Sequence, residues 1–307
     1  MTVVSAGPGA LSLEWGVLID LHTHSHVSDG TDAPAALVAA AAGRGPAGAL
    51  ADGVRRLDVV ALTDHDTVGG WDEAAAAARE HGIDLVLGTE VSARAEGISV
   101  HLLSYLHDPH DAALLALFDA VRVSRDGRAR VMVERLGADF PVTWEDVVDQ
   151  TQPGTTIGRP HIADALVAAG VCASRDVAFA DLLHTDSPYY VRHAVPDAPD
   201  AVRAIVAAGG VAVMAHPGAH MRGRIVSDAV IEELAAAGLA GLEVAHRDND
   251  DAQRVRLDRL AQRLGLLTTG SSDFHGDGKP NRLGENLTSS EALAEIERRG
   301  TTRMVRA

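Results

Sequence analysis

Cysteine and lysine are nearly absent from this chain: Cys172 and Lys279 are the only residues of their kinds among 307. One thiol excludes an internal disulfide and any zinc cluster built from cysteines. Of the 27 basic residues, 26 are therefore arginine, which we read as a bias of genome composition and not as a functional signal. Aromatic residues make up only 3%, while apolar residues reach 46% with alanine the commonest, so a sizeable core has to be assembled largely from small side chains. Positive charge is also short. A formal charge of −16 makes the surface as a whole repel nucleic acid and anionic membranes, so a phosphate-bearing substrate would need a local reversal of the field. No apolar run approaches the roughly 18 residues needed to span a bilayer. The first sixteen residues, MTVVSAGPGALSLEWG, have no basic segment followed by a sustained apolar one, so no signal peptide is expected. These absences together point to a soluble cytoplasmic protein without a membrane partner.

What is present is a recurring pattern. Short runs rich in Val, Ile and Leu lie at 16–24, 57–66, 83–92, 98–106, 210–217, 239–246 and 266–275. Such continuous apolar runs suit strands buried on both faces. Segments of helical periodicity separate most of them, at 33–43, 70–81, 199–208, 227–237 and 249–264. The alternation predicts an α/β fold, and seven strands in this length suit a barrel better than an open sheet. Residues 44–56 lengthen the first connection as a loop or helix extension. Residues 108–196 break the alternation with helical patterns at 112–136, 143–151, 159–170 and 174–184 and no convincing strand. The domain reading is a barrel formed by 1–107 and 197–307, with a helical insert at 108–196.

Ionisable residues cluster at the ends of the strands. The stretch GVLIDLHTHSHVSDG, residues 16–30, begins as a buried strand, ends in a polar turn, and holds three histidines and two aspartates. His22 and His24 are two apart and so share one face of a strand. Asp64 and His65 end the second strand, Glu90 the third and His216 the fifth; His101 lies in the fourth; Asp273 and His275 end the seventh. In a parallel barrel the C-terminal strand ends open onto one rim, where functional groups collect. A lone histidine there is more often a packed, hydrogen-bonded side chain than a ligand. Six histidines and at least three carboxylates from six strands are different, because burying them unpartnered costs several kcal/mol each. Nitrogen and oxygen donors without thiolate suit Zn, Mn or Fe.

The ordered stretches DLHTHSHVSDG, LTDHDT, GTEVS, AHP and SSDFHG resemble the motifs of the PHP (polymerase and histidinol phosphatase) superfamily, across roughly residues 17–107 and 197–285. That resemblance implies a distorted barrel of seven parallel strands with two or three divalent ions. By position it implies His22, His24, Glu90 and Asp273 on one ion, Glu90 bridging to a second held by His101 and His216, and Asp29, His65 and His275 on a third. Three such ions would outweigh the three carboxylates by about three charges and reverse the local field. Asp66, beside His65, is the candidate catalytic residue, as a proton shuttle or as support for a ligand. His26 has no role in this scheme, and His107, His193, His220 and His246 match no ligand position.

In the insert, TTIGRPHIADAL (155–166) places Pro160 in a first helical turn flanked by Arg159 and His161. A helix N-terminus with these two residues suits an anion, though a capped helix with a solvated arginine fits the sequence equally well. The segment resembles the GRPH motif of a PHP branch of nucleotide phosphatases and enzymes that process RNA 5′ ends, which favours Arg159 and His161 as substrate-binding residues. Arg125 and Arg128 resemble basic positions of the same branch and would meet a second phosphate. Lys279 and Arg282 follow the last motif and are within chain reach of a substrate; Tyr189 and Tyr190 would stack a base or fill a core. The leading function is a metal-dependent phosphoesterase acting on nucleotide phosphomonoesters, such as AMP or a nucleotide 3′,5′-bisphosphate. A 5′-3′ exoribonuclease on short RNA, a histidinol phosphatase, and a non-enzymatic metal-binding regulatory module follow in that order. No protein partner is implied.

Overall fold

The structure, a computed structural model, describes residues 16–152 and 154–307. The reading of the first fifteen residues as lacking a signal peptide lies outside them. Seven strands form one sheet in chain order: β1 (Ile19–Asp20), β2 (Val59–Leu62), β3 (Asp84–Ala95), β4 (Ile98–Tyr105), β5 (Val211–Met214), β6 (Gly241–Ala245) and β7 (Leu267–Gly270). A parallel bridge between Thr23 and Phe274, just beyond β1 and β7, joins the two edges into a nearly closed barrel.

Apart from β3 and β4 the strands are short, and their residues divide cleanly. Ile19, Leu21, Val59, Ala61, Val86, Leu103, Tyr105, Val211 and Val213 belong to one buried cluster. Val60, Leu62 and Leu85 instead meet α1 (Pro34–Ala41) and α2 (Trp71–His81). Leu102, Ala212, Met214 and Leu242 meet α7 (Ala198–Ala207), α8 (Asp228–Ala237) and α9 (Asp251–Leu264). Both faces are apolar, so the strands read as unbroken hydrophobic runs.

The expectation of seven parallel strands is corrected at β4, which pairs antiparallel with both β3 and β5. Glu96 and Gly97, at φ 50° and 75°, form the two-residue turn between β3 and β4, and two positive φ angles are what a tight hairpin requires. Two site residues move with this correction. Glu90 does not end its strand, since β3 continues to Ala95; and His101 reaches the same rim from the N-terminal half of β4 because that strand is reversed.

An element absent from the sequence reading is α10 (Ser290–Arg299). Its signals were present: Ser289 caps the Ala292 amide at 3.1 Å, and Gly300 follows the last turn. Leu293 and Ile296 from this helix pack with the strand cluster that includes Ile19 and Tyr105. Residues 44–56 form a loop, pinned to Leu283 through the Ala49 carbonyl and the Ala51 amide, each at 2.9 Å.

Between β4 and α7 lie α3 (Ala112–Gly137), α4 (Trp144–Val148), α5 (Arg159–Ala168) and α6 (Arg175–Asp181). Leu114 and Phe118 of α3 pack on the barrel, whereas Ala129, Met132, Val133 and Leu136 join a second apolar cluster with α4, α5 and α6. The middle of α3, including Arg125 and Arg128, therefore lies between two cores. Among the described residues no helix is long and apolar enough to cross a membrane.

His107 gives the fold a pH dependence of its own. It is fully buried against Ser104, and burial pushes its pKa down to about 4. Below its ordinary value near 6.5 the unfolded chain takes a proton that the native state refuses until about pH 4. Stability is thus complete above pH 6.5 and falls as the pH drops towards 4, by about 3 kcal/mol over the interval. Denaturant titrations of metal-free protein across that range are expected to show this slope, and His107→Gln to flatten it. An unchanged slope in the variant would assign the acid sensitivity elsewhere.

Candidate metal centre and anion pocket

Site residues reach the rim through sharp local turns. Ser25 and Ser28 fold the segment after β1 over Asp64, whose oxygens accept from the Ser25 amide at 2.8 Å and from the two hydroxyls at 2.6 Å each. Gly30 allows the return, since a Cβ there would lie 2.3 Å from the His24 carbonyl oxygen, and Asp29 is brought back to the rim. Asp66, His216 and Asp273 adopt positive φ, at 52°, 32° and 56°. Non-glycine residues hold that conformation only where the surroundings enforce it, commonly at functional sites. Asp20, buried beneath, accepts from the Ser272 and Gly284 amides and ties the last motif to β1; burial raises its pKa to about 6.

The nine residues marked as ligands form three adjoining groups. In the first, His22 Nε2 and His24 Nε2 stand 3.0 Å apart, with Glu90 Oε2 at 3.2 and 3.0 Å from them and Asp273 Oδ1 at 3.6 Å from each. In the second, Glu90 Oε1 lies 2.7 Å from His101 Nδ1 and 3.2 Å from His216 Nε2. In the third, Asp29 lies 3.2 Å from His275 Nε2 and 3.7 Å from His65 Nε2. His24 Nδ1 also approaches Asp29 at 3.7 Å, and His65 Nδ1 approaches Glu90 at 3.2 Å, so the groups share walls.

The hydrogen-bond network tests whether this arrangement suits cations. His22 Nδ1 lies 3.0 Å from Glu243 Oε1, which fixes the Nδ1 proton and turns Nε2 towards the other donors. Burial is outweighed by Glu243, Glu90 and Asp273, which raise the His22 pKa well above its ordinary value, a pull on positive charge that a cation would satisfy with Nε2 bare. The Ser28 hydroxyl donates to Asp64, so His24 Nδ1, 3.3 Å from Ser28 Oγ, carries the proton and His24 Nε2 is also bare. Two lone pairs and a carboxylate oxygen thus face one point at about 3 Å spacing. Donors on one tetrahedral ion, each about 2.0–2.2 Å from it, lie roughly 3.3 Å apart. His275 repeats the theme: Nδ1 donates to the Asp273 carbonyl at 2.8 Å, and Nε2 faces Asp29 Oδ1 with neither atom hydrogen-bonded. Burial, reinforced by Lys279, lowers the His275 pKa to about 4, and burial with Arg222 does the same at His216, keeping both as neutral donors. Burial alone would raise the Asp273 pKa, but Lys279 above all holds it well below the usual carboxylate range. The residues present therefore fit divalent cations.

Several participants went unread in the sequence. Glu243, fully buried on β6, accepts from the His216 amide at 2.8 Å and from His22, so one carboxylate orients donors of two groups. The signal was a glutamate inside an apolar strand. His246, read as bland, is fully buried with Nε2 3.6 Å from Asp273. Arg222 donates to Asp273 Oδ2 at 2.9 Å. Lys279, already marked in the sequence as a substrate-binding candidate, reaches the same oxygen at 2.9 Å.

Asp66 has both oxygens engaged, accepting from the Ser92 amide and hydroxyl at 2.8 Å each and from Arg125 Nη2 at 2.9 Å. Arg128 is buried and donates from Nη1 to His193 Nδ1 at 3.1 Å; its Nε has no partner, nor has His193 Nε2. Arg159 donates to the Leu183 carbonyl at 3.0 Å and lies over the rings of Phe179 and Tyr190. His161 accepts from the Gly158 amide at 3.0 Å, capping its own helix, and lines a cavity of about 390 Å3 with His26, Thr31 and Arg175. Tyr189 and Tyr190 pack on the insert's apolar cluster, Arg282 pairs with exposed Asp52, and Arg122 pairs with Asp119.

A distorted barrel with a rim of histidines and carboxylates defines a class, the metal-dependent phosphoester hydrolases. Comparison with known proteins makes the assignment particular. The PHP domain model matches residues 20–122. The chain is 38% identical over 273 residues to the 3′,5′-nucleoside bisphosphate phosphatase of Chromobacterium violaceum, covering 86% of this chain and 89% of that protein. It is 33% identical to the 5′-3′ exoribonuclease of Haemophilus influenzae, covering 90% and 97%. Among solved structures, a Bifidobacterium adolescentis protein described as a metal-dependent phosphoesterase matches with TM-score 0.87 and 47% identity, over 92% of this chain and 96% of that one. The chain belongs to the PHP family.

Proposed function

We propose that this protein is a phosphatase of nucleotide 3′,5′-bisphosphates. In this reading the nine rim residues hold two or three divalent ions (Mn, Fe or Zn) at the reacting phosphate, and the lobe at 108–196 holds the second phosphate. The similarity to the Chromobacterium violaceum phosphatase supports it. One observation on this chain carries it: the state of Arg128. Arg128 is 7% exposed, and no carboxylate lies within ion-pair distance of it among the described residues. Burial, with Arg125 and Arg159 nearby, lowers its pKa to about 9. An uncompensated buried charge costs several kcal/mol, and a phosphate supplies the missing counter-ion.

Bound divalent ions would supply a water of lowered pKa and withdraw charge from the phosphoryl oxygens. The chain's own residues position. Glu243 and Ser28 set the tautomers of His22 and His24. Asp66 anchors Arg125 and so serves as a positioning residue rather than a proton carrier. Arg128, with Arg125, grips the second phosphate, and the partnerless Nε2 of His193 is available to it. Lys279 faces the reacting phosphate. His161 lines the cavity beside the lobe, and Arg159, held over Phe179 and Tyr190, adds positive charge near Arg128.

Phosphate release should be compared for adenosine 3′,5′-bisphosphate, AMP, histidinol phosphate and a short 5′-phosphorylated RNA, with Mn or Zn added. The bisphosphate is expected to exceed AMP in kcat/KM by about 30-fold or more, the value of one buried charge pair. Equal rates on both would remove the second-phosphate assignment. Faster turnover of RNA would favour the exoribonuclease reading. No turnover of any substrate would favour a regulatory module.

A further inference from the structure

Asp273 is asymmetric in a way that the ligand role does not explain. Its Oδ1 faces the His22 and His24 nitrogens, while its Oδ2 takes two cations, Arg222 Nη2 and Lys279 Nζ, each at 2.9 Å. Arg222 comes from the short turn His220–Arg222 after β5, and the same nitrogen also contacts Asp248, which follows β6. Three successive rim loops are thus joined at one guanidinium. Nη2 is the only side-chain nitrogen of Arg222 with a protein hydrogen-bond partner among the described residues, and the side chains of Arg222 and Lys279 are 37% and 31% exposed.

We infer that Arg222 is a phosphoryl-binding residue of this site, paired with Lys279 and steadied by Asp248. The inference rests on the phosphoesterase reading above. Two arguments support it. The first is charge: one carboxylate serves two cations, and once Oδ1 is shared with a metal ion, less negative charge remains at Oδ2. Asp248 offsets only part of the surplus, and an incoming anion offsets the rest. The second is reach. An ion on Oδ1 lies about 2 Å beyond that atom. Arg222 Nη2 lies 2.9 Å from the other oxygen of the same carboxylate, so an ion held there would be separated from the guanidinium by one carboxylate width and one hydrogen bond. A phosphoryl group spans that gap, with an ion–oxygen bond of about 2 Å on one side and a charge-assisted N–H···O contact of about 2.8 Å on the other. An arginine serving only to orient Asp273 would not need its other donors turned to solvent.

Metal-loaded wild type, Arg222→Gln and Arg222→Lys should be compared for bound metal by mass spectrometry, for inhibition by inorganic phosphate, and for kcat and KM. For Arg222→Gln the expected result is unchanged metal content, phosphate inhibition weakened about 10- to 100-fold, and partial recovery on adding guanidinium ion. A fall in metal content with undiminished phosphate affinity of the loaded fraction would overturn the inference and leave Arg222 acting only through Asp273. If the Gln variant does not fold, Arg222→Lys decides. Lysine keeps the charge but places it on one nitrogen, without the separate Nη1 and Nε donors that a phosphate would meet, so weakened inhibition supports phosphoryl binding and unchanged inhibition overturns it. Wild type that neither binds nor releases phosphate would remove the phosphoesterase reading itself, a distinguishable outcome.

Discussion

Asp273→Asn is expected to lower kcat by about 10³-fold or more while the fold survives. The first cation pocket consists of two imidazoles and two carboxylates, Glu90 and Asp273. Replacing Asp273 removes half of its negative charge and puts an amide donor next to bare imidazole nitrogens. The same change leaves Arg222 and Lys279 facing a neutral group. A ligand whose loss costs several kcal/mol of transition-state stabilisation corresponds to that factor, at 1.36 kcal/mol per tenfold. Circular dichroism should match wild type, because Asp20, Thr288 and Asn281 hold the surrounding backbone without Asp273. The measurement is phosphate release together with bound metal. Near-normal turnover would refute the assignment of Asp273 to the cation site.

Arg128→Met is expected to separate function from stability. The guanidinium is buried beside Arg125 and a neutral His193, whose pKa burial and the arginines push down to about 2. Without a bound anion this arrangement destabilises the native state. An apolar side chain of similar length should therefore raise the unfolding free energy of the ligand-free protein by about 1–2 kcal/mol. The same substitution should lower kcat/KM for the bisphosphate by about 30- to 1,000-fold and leave AMP hydrolysis largely intact. A parallel fall on both substrates, or a less stable ligand-free protein, would count against a second-phosphate site.

The strand-end histidines were legible because their chemistry is local. His22 and His24 stand two apart just beyond β1, and Asp273 and His275 repeat that spacing beyond β7. Glu243 was harder to read: its strand, GLEVA, carries no motif, and its partners are 221 residues away at His22 and 27 away at His216. Arg222 was missed for the same reason, since a surface-loop arginine becomes a site residue only when β6 and β7 bring Asp248 and Asp273 beside it. Arg125 and Arg128 were marked by resemblance, but the burial that makes Arg128 informative depends on α3 lying between two cores. The direction of β4 was also beyond an apolar run, which reads the same in either sense.

The amino-acid sequence on its own determined the number of strands, the helices between them, and which residues could donate to a cation, because period and side-chain chemistry are properties of short segments. Which donors meet, which nitrogen of each imidazole stays bare, and where positive charge is left unbalanced were decided only by the closed barrel and the helices packed over its rim. Those depend on distances between residues far apart along the chain, which local patterns do not encode.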